Sequence, residues 1–229
     1  MKGVFLINKP KNITSHDAVD FLRRLTGERR IGHAGTLDPA ATGLMIVAIG
    51  REFTKQLGEF IKLDKEYVAE VTLGVVSATY DIEGPKKHIS NRRPGLAEIL
   101  RVTKSFLGKH QQAPPIFSAK KIGGEPAYKL ARAGRVVKLS KQEVRIYSLK
   151  IETFRYPKLR IRVRVSSGTY IRSLAHDLGE GLGIGAYLSR LRRTQIGGYK
   201  IRSARRLKNL KRIKDLAKIR IRPRGTKLL

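Results

Sequence analysis

Apolar and polar positions recur along the chain with two periods, and they mark short strands and helices from the start. Gly3 to Ile7 is an apolar run that predicts a short buried strand, ended by Asn8-Lys9-Pro10, and Asn12 can adopt a left-handed turn. Thr14-x-x-Asp17 is a capping-box pattern. The helix it opens carries Ala18, Phe21, Leu22 and Leu25 on one face and stops at Gly27. Leu44 to Ile49 is a continuous apolar run of strand length, and Phe53, Leu57, Phe60 and Ile61 then recur at helical spacing.

Tyr67, Ala69, Val71 and Leu73 alternate and predict a strand. Ser77 to Asn91, with Gly84-Pro85 and several charges, reads as a mobile loop. Leu96, Ile99, Leu100 and Thr103 predict a helix closed near Gly108, and Glu125 to Arg132 a short one with Gly134 past its end. Pro114-Pro115 keeps Gln111 to Ala119 out of any helix interior. From Lys158 to Val165, Leu159, Ile161, Val163 and Val165 face one way and Lys158, Arg160, Arg162 and Arg164 the other, as in a strand lying on a core with a basic outer face. Ile171, Leu174, Ala175 and Leu178 mark a further helix, and Leu207, Leu210, Ile213 and Leu216 are spaced for part of another. The elements intersperse without strict βα alternation. The expected fold is an α+β domain with a mixed sheet, not a doubly wound one.

Composition narrows the function. Hydrophobic residues make up 41% of the 229, enough for a core. Lys and Arg number 49 against 18 Asp and Glu, a net charge of +31, so the chain attracts polyanions, nucleic acid first. No apolar run approaches the roughly 18 residues of a membrane span. Cysteine is absent, which excludes disulfides, Cys-ligated metal and thiol nucleophiles. The start lacks the separate apolar segment and small-residue cleavage site of a secretory signal, so a soluble cytoplasmic protein is expected. From Lys200 to Leu229 the chain holds 13 Lys or Arg and one acid, Asp215.

Few stretches offer chemistry. No two of His16, His33, His88, His110 and His176 share the i, i+4 spacing of a helical metal pair, so no metal is expected. Gly179-x-Gly181-x-Gly183-x-Gly185 follows a helix and fails the nucleotide-loop spacings; it reads as a bend between helices. The run Gly32-His33-Ala34-Gly35-Thr36-Leu37-Asp38-Pro39-Ala40-Ala41-Thr42-Gly43 puts a carboxylate in a loop between a helix and a buried strand. Asp before Pro commonly caps a turn, and spacing alone leaves that reading open for Asp38. Gly168-Thr169-Tyr170-Ile171-Arg172-Ser173 opens a helix, where a cation opposes the helix dipole. Arg172 therefore calls for another partner, a buried carboxylate among the candidates.

The glycine-rich Asp38 run, with Lys9-Pro10, Thr14-Ser15, Lys65-x-Tyr67, Pro114-Pro115-x-x-Ser118-Ala119-x-Lys121, Gly168-Thr169-Tyr170-Ile171-Arg172 and Leu191-Arg192-Arg193-Thr194, resembles the TruB family of pseudouridine synthases. The segments stand in the family's order from about Gly3 to Leu216. The resemblance implies the α+β pseudouridine synthase fold, a mixed, mostly antiparallel central sheet flanked by helices, and isomerisation of uridine to pseudouridine in RNA without a cofactor, in bacterial members at position 55 in the T-loop of tRNA. By the same resemblance Asp38 matches the catalytic aspartate, Tyr67 the tyrosine that stacks on the flipped base and Arg172 the arginine that pairs with the aspartate. His33 matches the residue that fills space near the extruded nucleotide, and Tyr170 and Leu191 match pocket-lining positions. The implied partner is tRNA, through its T-loop and stem, bound by a monomer with no membrane attachment.

Two departures from the pattern stand out. Asn8 and Asn12 occupy positions where bacterial members often have Asp and Gly. Bacterial and archaeal relatives usually also carry a C-terminal RNA-binding domain of PUA type, for which the 13 residues after Leu216 are too few. The expected division is a catalytic domain over residues 1–216 and a basic arm over 217–229. Two other readings compete: a guide-RNA-dependent pseudouridine synthase subunit and a non-enzymatic tRNA-binding chaperone. The insert from Gln111 to Leu139 favours the stand-alone form over the first, and charge alone does not explain Asp38 under the second.

Overall fold

The computed structural model describes residues 1–118, 121–132 and 139–221. The chain forms two compact units, Met1–Tyr67 with Leu191–Leu229, and Val68–Arg190. The first begins with β1 (Gly3–Lys9), α1 (Ser15–Thr26), β2 (Ile31–His33), β3 (Thr42–Ile49), α2 (Arg51–Thr54), α3 (Leu57–Lys62) and the start of β4 (Lys65–Leu73). The second continues β4 and adds β5 (Val75–Ser77), β6 (Lys86–His88), α4 (Leu96–Ser105), β7 (Gly108–Gln112), β8 (Lys121–Ile122), β9 (Glu125–Pro126), α5 (Ala127–Arg132), β10 (Gln142–Arg155), β11 (Lys158–Val165), α6 (Ile171–Gly181) and the first part of β12 (Ala186–Ile196). The end of β12, β13 (Tyr199–Lys200), β14 (Arg205–Arg206), α7 (Lys214–Ala217) and β15 (Arg220–Ile221) return to the first.

In the first unit β1 runs antiparallel to β3 along its whole length, from Gly3 opposite Ile49 to Lys9 opposite Gly43. Both strands are buried on both faces, which explains their continuous apolar sequences. The other edge of β3 changes partner along its length. Ile49 to Val47 pair with β2, whereas Thr42 and Gly43 pair with Arg192 and Arg193 of β12 in parallel. Between these pairings the chain leaves the sheet as a loop, residues 34–41. Val4, Leu6, Leu44, Ile46 and Ala48 form a core with Leu57, Phe60 and Ile196.

Helix α1 has the expected capping box. The Asp17 amide donates to Thr14 Oγ1 (3.0 Å), and the Thr14 amide donates to the Asp17 carboxylate (2.7 Å). Those bonds hold the Asp17 carboxyl below its usual range. Gly27 ends the helix at φ 71°. Ala18, Val19 and Leu22 are buried, while Phe21 and Leu25 are half-buried, so the buried face is turned slightly from the expected one.

The second unit carries the strand order β12-β4-β11-β10-β7. The alternation read along β11 is observed: Leu159, Ile161, Val163 and Val165 are fully buried. Each contributes on the order of 1.5–3 kcal/mol. On the outer face Glu152 accepts from Arg160 and Arg162 at 2.8 Å each, which holds its carboxyl below the usual range against the opposing pull of burial. The sheet is mixed and mostly antiparallel, as expected.

Three expectations change. Residues 77–91 are not a mobile loop. They include β6, which pairs with β5 in an antiparallel hairpin, and a turn in which the Asp81 carboxylate accepts from Thr79 Oγ1 (2.5 Å) and the Glu83 amide (3.0 Å). The glycine run after α6 joins a helix to strand β12, not to another helix. A Cβ on Gly179 would lie 2.1 Å from the Ala186 amide nitrogen, so the helix rests directly on strand backbone. The basic arm does not start at residue 217. Leu216 and Ile219 are buried, the Leu6 amide donates to the Ile219 carbonyl (3.1 Å), and β15 pairs with Val4 and Phe5. The rest of the arm, residues 222–229, lies outside the described residues, as do Ala119 and the proposed helix stop at Gly134. No described helix is long and apolar enough to cross a membrane.

Candidate active site

Asp38 is half-buried in the 34–41 loop, and side chains distant in sequence fix that loop. Ser15, the first residue of α1, binds Leu37 twice: its hydroxyl accepts from the Leu37 amide (2.8 Å) and donates to the Leu37 carbonyl (3.0 Å). The Asn12 amide donates to the Pro39 carbonyl (2.9 Å), with Asn12 in the expected left-handed conformation, φ 66°. Lys9, fully buried, donates from Nζ to the carbonyls of Ile13 (2.7 Å), Pro10 (2.9 Å) and Pro39 (3.3 Å). Arg193, 1% exposed, reaches the loop from β12. It donates to the carbonyls of Leu44 (2.7 Å), Gly35 (3.0 Å) and Thr36 (3.4 Å). Asp38 thus has fixed main chain on both sides, and its own carbonyl accepts from the Ala41 amide (3.0 Å).

The ground beneath the loop is electropositive. Burial pushes the Lys9 ammonium down to about 8; the negative charge of Asp38 pulls the other way, and Arg193 adds to the depression. Lys65, on β4, is pushed down to about 8 by burial and then by Arg193, and donates to the Ile61 carbonyl (2.5 Å). His33 lies at the end of β2. Burial, then Arg193, then His16 lower its pKa, so the neutral imidazole is favoured. Of these groups Lys9 interacts with Asp38 directly through its charge. Tyr67 is buried on β4, and Leu191 is half-buried on β12, where its carbonyl accepts from Thr42 Oγ1 (3.4 Å).

Asp38, His33, Tyr67 and Leu191 belong to the first unit, and Tyr170 and Arg172 to the second. Tyr170 immediately precedes α6. The Gln112 side chain binds its main chain twice, accepting from the Tyr170 amide (2.8 Å) and donating to its carbonyl (3.1 Å). Arg172 is buried in the first turn and does have a buried carboxylate partner: Nη1 lies 3.3 Å from Asp81 Oδ2. Its Nη2 donates to the Phe117 carbonyl (3.1 Å). Asp81, Gln112 and the anchoring roles of Lys9, Ser15 and Arg193 escaped the sequence reading. The available signals were a lysine closing an apolar strand and an arginine inside β12; the Asp81 turn looked like solvent-facing loop.

Comparison with known proteins follows the same segments. A family model described as TruB family pseudouridylate synthase (N terminal domain) matches residues 23–171. A second, tRNA pseudouridylate synthase B C-terminal domain, matches residues 172–223. A tRNA pseudouridine synthase B of Protochlamydia amoebophila is 47% identical over 87% of this chain and 76% of its own length. Its namesake in Chlamydia muridarum is 45% identical over 88% and 83%, and that of Thermosipho melanesiensis 43% over 89% and 67%. Among solved structures, the matched chain of a Cbf5-Nop10-Gar1 complex gives a TM-score of 0.72 at 29% identity, covering 90% of this chain and 53% of that one. That of an H/ACA RNP bound to a substrate RNA containing 2′-deoxyuridine gives 0.68 at 27%, covering 90% and 51%. This chain spans about half the length of those two matched chains.

Proposed function

The chain belongs to the TruB family of pseudouridylate synthases, and on that premise we propose that Asp38 carries out the isomerisation of uridine to pseudouridine in the T-loop of tRNA, at position 55. The reaction breaks the N1–C1′ glycosidic bond and joins C5 to C1′. A proton leaves C5 and one is taken up at N1, so the atoms balance without a cofactor. The target base is stacked and must first be extruded, at a few kcal/mol. Asp38 then acts on the sugar or the base as nucleophile, or on the sugar as base; each route needs it ionised in a pocket poor in water. The single observation that carries this reading is the fixed Asp38 loop, held by Lys9, Ser15 and Arg193 over a cluster of buried cations.

In this reading Arg172 pairs with Asp38 and is itself oriented by Asp81. Tyr67 stacks on the flipped uracil, with its OH available to relay a proton. His33 fills the space near the extruded nucleotide, and Tyr170 and Leu191 line the pocket. The protein works as a cytoplasmic monomer, and its charge of +31 supplies much of its grip on RNA. The likeness to H/ACA complexes favours one second reading, a subunit that acts through a guide RNA. Incubating the protein alone with unmodified tRNA and mapping pseudouridine separates the two. The stand-alone enzyme modifies a single T-loop uridine; no pseudouridine without added guide RNA contradicts the proposal.

A further inference from the structure

The first unit holds a basic concavity of about 390 Å³ whose lining does not include Asp38. Asn8, Thr42, Arg192, Arg206, Leu207 and Lys208 line it. Strand register assembles it. Arg206 of β14 stands beside Asn8 of β1, and Arg192 of β12 beside Thr42 of β3. Lys208 follows in a 3₁₀ turn anchored by buried Leu207. Lys9 and Pro10 also border the pocket, but the Lys9 ammonium is engaged by the carbonyls of Pro10, Ile13 and Pro39.

No acidic side chain lines the pocket. Elsewhere exposed and half-buried cations face carboxylates: Arg92 faces Glu98, Arg160 and Arg162 face Glu152, and Arg205 lies 3.7 Å from Asp215. Arg192, Arg206 and Lys208 are exposed, and none has a carboxylate within ion-pair distance among the described residues. Two guanidinium groups and an ammonium around an amide and a hydroxyl make a donor-rich site for phosphate oxygens. Its volume falls in the range of about 300–1,000 Å³ seen for ligand pockets.

We propose that this pocket binds a phosphodiester of the RNA backbone and so sets the register of the RNA strand on the first unit, apart from the residues that act on the base. The exposure of all three cations suits a polyanion that passes over the surface. A free phosphate would have to compete there with solvent. The inference rests on the reading of tRNA as substrate.

The test replaces Arg192, Arg206 and Lys208 together by Gln and, as control, the exposed cations Lys87, Lys104 and Lys150 together by Gln. The affinity of each protein for unmodified tRNA is measured at several salt concentrations. Neutralising one or two phosphates contributes roughly 0.7–1.8 to the slope of log affinity against log salt. The pocket variant should lose that much slope and bind about tenfold more weakly or worse at moderate salt. Its single-turnover rate at saturating enzyme should stay near wild type, while the control keeps its slope. Equal slopes for pocket and control variants overturn the proposal. So does inorganic phosphate shifting the NMR signals of the pocket arginines while the tRNA slopes coincide, which marks a free-anion site. If the triple variant does not melt cooperatively, Arg206→Gln alone is read against Lys104→Gln. Wild-type pseudouridine formation in the same tRNA keeps the outcomes distinct. A slope change without wild-type turnover supports the pocket and sinks the enzyme reading; turnover with equal slopes sinks the pocket alone.

Discussion

At Asp38 a carboxylate sits over buried cations whose hydrogen bonds go to main-chain carbonyls. Arg193 serves three of those carbonyls, two of them on the Asp38 loop. Replacing it with Met removes all three donors at once, and a displacement of about 1 Å at a reacting group can cost on the order of a hundredfold in rate. Arg193→Met is therefore expected to slow single-turnover pseudouridine formation by about two orders of magnitude, with tRNA affinity largely kept. Arg193→Lys, which retains a cation but not the fork, should fall between. Single-turnover rates alongside thermal melts decide it; a folded Met variant with the wild-type rate would show that the loop holds its shape without the guanidinium.

Among the elements, strand β3 meets β12 at Gly43. Gly43 has φ 118°, and a Cβ there would lie 2.3 Å from the Arg193 carbonyl oxygen and 2.6 Å from its nitrogen. Both are backbone atoms that cannot swing aside. Gly43→Ala should thus destabilise the protein by more than about 2 kcal/mol, combining backbone strain of about 1–3 kcal/mol with the clash. Denaturant unfolding measures it, and a loss below about 0.5 kcal/mol, the range of neutral surface changes, would contradict the packing. Sequence legibility divides along similar lines. The capping box of α1 and the alternation of β11 depend on neighbours a few residues away, so the pattern displays them. The bonds from Arg193 to Gly35 and from Arg172 to Asp81 span 158 and 91 residues, and no local pattern encodes them. Asp81 was hidden further because Thr79, Asp81 and Glu83 look like exposed turn until their hydrogen bonds are seen. The roles of Asp38, Tyr67 and Arg172 came through family resemblance, since spacing alone left Asp38 as a turn cap.

For the molecule as a whole, two buried lysines make stability depend on pH. Lys9 and Lys65 are each pushed from 10.5 down to about 8 in the folded chain. Below about pH 8 both states bind these protons, and the cost of burying the charges is fully present. Between 8 and 10.5 the unfolded chain still holds protons that the folded one has released, so stability rises with pH across that window. Tyr80, whose pKa burial raises, opposes the trend only above its ordinary value of 10.0, so the measurement belongs below that. Urea unfolding at steps from about pH 7.5 to 9.5 should show midpoints moving up, an uncommon direction for a protein whose stability usually peaks between about pH 5 and 8. Midpoints that fall steadily over the interval would mean that neither lysine carries the burial cost.

The claim on which the rest depends is that Asp38 performs the chemistry while the basic surface performs the binding. Single-turnover assays with unmodified tRNA at saturating enzyme, wild type against Asp38→Asn, test it most directly, with affinity measured on the same samples. The account predicts that the Asn variant makes no detectable pseudouridine and binds tRNA nearly as tightly as wild type. Activity within about tenfold of wild type, a barrier change of roughly 1.4 kcal/mol, would remove Asp38 from the reaction and contradict the account.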